Sequence, residues 1–202
     1  MIMISNCDIT EIFRATGITV DTTNGQTTIA HGTAANSQAS FNTTYTVVGA
    51  QNAIPVRVMR FEANAYFVGD SGRTTPDGQT IFSLFVLDTT QNPIGDPTEL
   101  VEGVENLQVL YGENTQPNPD APPQIRYVTA TNVGNPANIL SVQLGLLIAT
   151  ADYSASSADT GIYHIAGTTV GPPGSATNAQ HPGDRRLRAA YNATIQLRNR
   201  TQ

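Results

Sequence analysis

The sequence predicts an α+β protein, predominantly antiparallel β, in one domain spanning residues 1–202. Three observations carry this expectation. Thr, Asn, Ala and Gly fill the connecting stretches, short β-branched and aromatic runs punctuate them, and the C-terminal segment alternates with a period of two. At 202 residues the chain is long enough to bury a core without disulfides or metals.

Residues 1–5 read as a strand. Asp8-Ile9-Thr10-Glu11 has the spacing of a capping box, so a helical turn burying Ile12 and Phe13 is expected next. In GITVDTTNGQTTIAH, Asn24-Gly25 supplies the positive φ of a type I′ turn and predicts a hairpin. Residues 32–46 are small and polar and read as a long loop. From Ile54 to Phe61 side chains alternate between two sets, with Pro55 near the start, where a missing ladder donor matters least. Ala65–Val68 and Ile81–Leu87 are expected to pair through a long connection, GDSGRTTPDGQT, that turns at Pro76-Asp77-Gly78.

Asp96-Pro97-Thr98-Glu99 has the capping Asp and first-position Pro of a helix start. Leu100, Val104, Leu107 and Tyr111 continue at helical spacing, which predicts a short helix handing over to a strand near Asn106. The four prolines of NTQPNPDAPPQ make an exposed loop. Residues 125–130 and 139–149 read as strands, and the second, ILSVQLGLLIA, is apolar enough for burial on both faces. Ile162–Ile165 is a further short strand, followed by a Gly/Pro-rich loop. In the last segment Leu187, Ala189, Tyr191, Ala193, Ile195 and Leu197 share one face. Arg186, Arg188, Asn192, Thr194, Gln196 and Arg198 share the other, so an amphipathic strand is expected with its polar side in water or on a partner.

Composition excludes several functions. Charged residues make up 13% of the chain, and all ten basic residues are Arg. Without lysine there is no Schiff-base or P-loop lysine. A net charge of −6 argues against direct nucleic-acid binding, and the absence of Trp removes Trp stacking platforms. No apolar run is long enough to span a membrane, and MIMISNCD lacks the basic start of a signal peptide. An apolar run at residue 1 with no lead-in reads as a chain entered partway along a strand, hence a fragment. Cys7 is alone in the chain: it is either a small buried residue or pairs with a cysteine outside this fragment.

No constellation for chemistry stands out, so no enzyme and no cofactor is expected. Val68-Gly69-Asp70-Ser71-Gly72 contains the GDSG string of chymotrypsin-like proteases, but the upstream histidine, His31, is only 40 residues away, and the string reads as a turn. His31, His164 and His181 lie in separate segments, and the Asp-rich turns lack EF-hand spacing, so no metal site is expected. Charge is segregated: seven acids and no base lie from Asp88 to Asp120, and five Arg and no acid follow Asp184. Two readings follow. The blocks pair with each other within the fold, or they dock neighbouring subunits. In the second, Asp184, Arg185, Arg186, Arg188 and Arg198 with Glu99, Glu102 and Glu105 are the contact residues. On that reading, reversing the charge of Arg185, Arg186 and Arg188 weakens partner binding and leaves folding intact.

ISNCDITEIFRAT, ELVEGVENLQVLYGEN and DRRLRAAYNATIQLRNR, in that order, with ILSVQLGLLIAT before the last, resemble the PilW family of minor pilins. The middle stretch also resembles the J-type pseudopilins of type II secretion. The resemblance implies a pilin-like head domain lacking its N-terminal helix, and a structural role rather than catalysis. It implies a subunit that helps prime type IV pilus assembly near the pilus tip. Its partners would be other minor pilins, the major pilin and a tip adhesin. The full-length protein would be held in the inner membrane through the helix absent here, then carried into the pilus. A face left bare by that helix is expected to be apolar. A secreted β-sandwich binding module is the alternative of a different class.

Overall fold

The computed structural model describes residues 1–6, 9–38, 40–41, 45, 56–91, 93–116, 118 and 120–197. Cys7, Asp8, Ile54, Pro55 and Arg198 lie outside the described residues. The chain is mainly antiparallel β, and helix among the described residues is limited to two 3₁₀ turns, Ala130–Asn132 and Pro136–Asn138. Where the sequence shows no boundary, the chain clusters into two compact units, residues 1–65 with 87–97 and residues 66–86 with 98–202.

In the first unit β1 (Ile2–Ser5) is the centre of a three-stranded sheet, flanked by β2 (Thr10–Phe13) and β5 (Arg57–Arg60). The helical turn expected from the capping spacing is therefore a strand. Asn6 closes a tight turn instead, its side-chain oxygen accepting from the Ile9 N–H at 2.9 Å, so the polar residues serve a hairpin. The hairpin forms where the sequence puts it, β3 (Gly17–Asp21) pairing with β4 (Gln26–Ala30), but through the loop 22–25 rather than a type I′ turn. Gly25 has a positive φ, +65°, and Asn24 does not, and the Asp21 carboxylate accepts from the Thr23 and Asn24 backbone N–H groups. Phe13, His31, Phe41 and Tyr45 pack ring against ring.

The second unit is built on a four-stranded antiparallel sheet. Its order is β10 (Ile125–Val128), β9 (Val104–Asn114), β11 (Ile139–Ala149), β15 (Arg188–Gln196). A small sheet of β12 (Tyr163–Ile165), β13 (Thr168–Gly171) and β14 (Ala179–Gln180) covers one of its faces, two of these strands falling in the stretch expected to be all loop. Leu147, Ile165 and Val170 form the core of this contact, with Tyr163 and Ala179 packed against it. Gly145 allows the approach, since a Cβ there would meet the Ala166 nitrogen at 2.7 Å and the Ile165 carbonyl carbon at 2.8 Å. Burial along β11 is therefore one-sided. Ser141, Gly145, Leu147 and Ala149 are buried on one face, Gly145 and Leu147 against the small sheet, while Leu144, Leu146 and Ile148 on the opposite face remain half-buried, so the expectation of burial on both faces fails.

A third sheet, β6 (Asn64–Thr74), β7 (Thr80–Asp88) and β8 (Thr98–Glu102), completes the architecture. The expected helix after Asp96 is strand β8. Its Glu99 and Glu102 reach across the sheet to Arg73 of β6, and Glu99 also accepts from the Ser83 hydroxyl at 2.6 Å. These cross-strand partners favour extended backbone over the local helix-start signal. The GDSG string lies within β6 rather than in a loop; Ser71 donates to the Ile81 carbonyl at 2.6 Å, and the connection shortens to a turn at residues 75–79.

Candidate functional site

The sequence predicts an amphipathic C-terminal strand with its arginines outward. The structure buries the two arginines, while Asn192, Thr194 and Gln196 are exposed as expected and the apolar residues opposite them are exposed too. The side chains of Arg186 and Arg188 are 0% exposed, whereas Leu187, Tyr191 and Ile195 are 54%, 58% and 49% exposed. Each face of the strand has its own explanation.

On the covered face two guanidinium groups meet three carboxylates. Arg188 grips Glu105 with both arms of its fork, Nε to Oε2 at 2.7 Å and Nη2 to Oε1 at 2.9 Å. Its Nη2 also donates to Asp184 Oδ1 at 2.7 Å, and its Nη1 to Asp159 Oδ2 at 3.2 Å. Arg186 donates to Glu105 Oε1 at 2.6 Å and, through Nε, to Asp184 Oδ2 at 2.7 Å. Its Nη1 is buried without a hydrogen-bond partner among the described residues. Tyr163 donates to Asp159 at 2.9 Å. Burial and then the Asp159 carboxylate push this phenol up to about 12. Burial works against the charge of Arg188, but Glu105 and Asp184 outweigh it and hold its pKa above the ordinary guanidinium value.

These contacts are internal, so Arg186, Arg188, Glu105 and Asp184 are not presented to a partner. Of the two readings of charge segregation, pairing within the fold describes them. Glu99 and Glu102 pair with Arg73 on a more exposed surface, and Arg185 lies 4.9 Å over the Tyr153 ring. Arg198 and Cys7 fall outside the described residues. Asp159, Tyr163 and Arg73 were not singled out from the sequence. His181, also buried, spends both ring nitrogens on backbone, Nε2 on the Gly161 carbonyl at 3.0 Å and Nδ1 accepting from the Gly183 N–H at 3.1 Å.

The cluster makes the fold sensitive to acid. Burial raises Asp184, but hydrogen bonds from Arg188 and Arg186 outweigh it and hold the carboxyl below its usual range. Asp159 behaves alike, raised by burial and lowered further by the Gly161 N–H, Tyr163 and Arg188. A depressed folded-state pKa contributes stability that is complete above the unfolded value and is lost as pH falls through the folded value. The urea midpoint is therefore expected to hold from neutral pH down to about 5 and to fall steeply below about 4. In Asp184→Asn it starts lower and falls less steeply; equal slopes would show that Asp184 does not carry the effect.

On the other face, hydrogen-bonded neighbours make three apolar rungs across β9, β11 and β15: Leu107–Leu146–Tyr191, Val109–Leu144–Ala193 and Tyr111–Val142–Ile195. Of these, Leu107, Val109, Leu144, Leu146 and Ile195, together with Tyr66 and Leu84, line an open groove of about 570 Å³ whose walls are almost wholly apolar. Patches of this kind mark interaction sites more often than chemistry. A profile of the type IV pilus-assembly protein W family matches residues 65–199.

The chain belongs to that family.

The matched span runs from β6 to the end of β15, so the arginine cluster and the open groove are both features of the segment that carries type IV pilus-assembly protein W character. Membership implies involvement in type IV pilus assembly, and with it association with pilus components and the cell envelope. No curated protein and no solved structure gives a match. Among the described residues no helix is long and apolar enough to cross a membrane, and no three His, Cys, Asp or Glu side chains gather as metal ligands would.

Proposed function

We propose that the chain is the β-rich head of a minor pilin, a structural subunit that helps prime type IV pili and sits near the pilus tip. In this reading it positions partners and carries out no reaction. The observation that supports it is the open apolar face of β9, β11 and β15. Three strands spaced about 4.8 Å apart give a face about 10 Å wide, the diameter of one helix. Pilin heads, which this sequence resembles, cover the apolar anchor helix with such a sheet. Each Leu or Ile buried there adds about 1.5–3 kcal/mol. The partners in this reading are other minor pilins and the major pilin, engaged through surfaces outside the arginine cluster.

The test is complementation in a host lacking the gene, with surface pili counted by electron microscopy. The parent sequence, in its full-length context, is expected to restore pili. Leu146→Glu, which places a charge in the middle of the apolar rungs, is expected to reduce pili at least tenfold. Leu146 is half-buried on an open face, so the purified variant should keep the circular dichroism spectrum of the parent. Normal pili with Leu146→Glu would overturn this reading.

A further inference from the structure

We propose that the outer edge of β15 is a dimer interface, at which the strand pairs antiparallel with β15 of a second copy about a two-fold axis at Ala193. This does not rest on the pilin reading.

β15 ends the sheet, and among the described residues no strand pairs with its outer side. The hydrogen bonds at its two ends show which residues face outward. Leu197 donates its N–H to the Leu140 carbonyl at 2.8 Å, and the Leu187 carbonyl accepts from Thr150 at 3.0 Å. The pairing with β11 between these points has no register shift. Residues 187, 189, 191, 193, 195 and 197 therefore face β11, and the backbone groups of Ala190, Asn192, Thr194 and Gln196 point away from it. Natural edges are protected by lysine, proline, a bulge or an inward charge. From Ala189 to Gln196 this one has none of them.

A second copy fits the edge because the strand is self-complementary. Antiparallel pairing about Ala193 sets outward residues against outward residues, Asn192 against Thr194 and Ala190 against Gln196, each as a hydrogen-bonded pair. It keeps the apolar faces of the two sheets on one side. There it sets Tyr191 against Ile195 twice, an aromatic and β-branched pairing that stabilises sheets, and Ala193 against itself. Between Ala190 and Gln196 no like charges meet. The Asn192 side chain stays on the turn between β12 and β13, where it donates to the His164 carbonyl and accepts from the Ala166 N–H. Such an interface is isologous and closes on itself, giving a dimer rather than a fibre.

Sedimentation equilibrium is expected to show a concentration-dependent dimer. Ala193 sits at a non-hydrogen-bonded position on the axis, where opposing Cα atoms lie about 4.5 Å apart, within disulfide range. In a Cys7→Ser background, Ala193→Cys should form an intermolecular disulfide on mild oxidation. Ala189→Cys, facing Leu197 rather than itself, should not. Thr194→Pro removes an outward donor and leaves the β11 ladder intact, so it should sediment as a monomer with a native spectrum. A parent that is monomeric at every concentration overturns the proposal. So does a dimer that Ala193→Cys fails to link, or one that Ala189→Cys links equally well.

Discussion

Replacing Arg188 with alanine is expected to lower the free energy of unfolding by about 3–5 kcal/mol, the cost of leaving buried carboxylates without their cation. Arg188 is the hub of the cluster, with two bonds to Glu105 and one each to Asp184 and Asp159, and its side chain is 0% exposed. Removing it leaves Arg186 alone against three carboxylates. Arg188→Lys should recover only part of the loss, because an ammonium cannot reproduce the two-armed grip on Glu105. Arg188→Glu is expected not to fold. Arg185→Ala, which loses an exposed contact over Tyr153, should cost no more than about 1 kcal/mol. Urea titration of the four variants at pH 7 checks this. A loss below 1 kcal/mol for Arg188→Ala would mean that the cluster is solvated and free to serve partners, as the sequence alone allows. The expectation that reversing Arg185, Arg186 and Arg188 together spares the fold is thus replaced by one in which only the change at Arg185 does.

Much of this architecture was legible in the sequence, for reasons that can be traced to particular residues. Asn24-Gly25 fixes a hairpin locally, so β3 and β4 stand where the sequence puts them. The alternation from Leu187 onward fixes β15, and the apolar run of β11 fixes its partner. What alternation leaves open is which side is covered. The apolar side is bare because nothing described in its own unit covers it, and the two arginines are buried because Glu105 and Asp159, from elsewhere in the chain, join the neighbouring Asp184 in neutralising them. Glu105 is 83 residues from Arg188 in sequence. The signal for that pairing was present in the separation of an acidic block from an arginine block, but charge blocks carry no distance information. The helix expected after Asp96 failed in the same way. Its capping residues are a local preference, overruled by Arg73 and Ser83 lying across the sheet. The open groove draws residues from β6, β7, β9, β11 and β15, and no spacing along the chain brings those together.

Gly103→Ala is expected to cost about 3 kcal/mol or more, adding left-handed backbone strain to overpacking. Gly103 is the corner at which the chain leaves the β6–β7–β8 sheet and enters the four-stranded one. Its N–H donates to the Phe82 carbonyl of β7 at 2.9 Å, and its carbonyl accepts from the Ala149 N–H of β11 at 2.8 Å. One residue therefore serves both sheets, and it does so at φ +81°. A Cβ built there falls on the carbonyl oxygen of Ala149, a backbone atom held in the β11 ladder that cannot swing aside as a side chain tip would. Gly25 is the control. It too has a positive φ, +65°, but a Cβ there meets nothing within 4 Å. Gly25→Ala should show the backbone strain alone, about 1–2 kcal/mol. The difference between the two losses measures the close approach at the corner. Equal losses in urea titration would mean that β8 and β9 can separate from Ala149 at little cost, and that the corner does not hold the two sheets together.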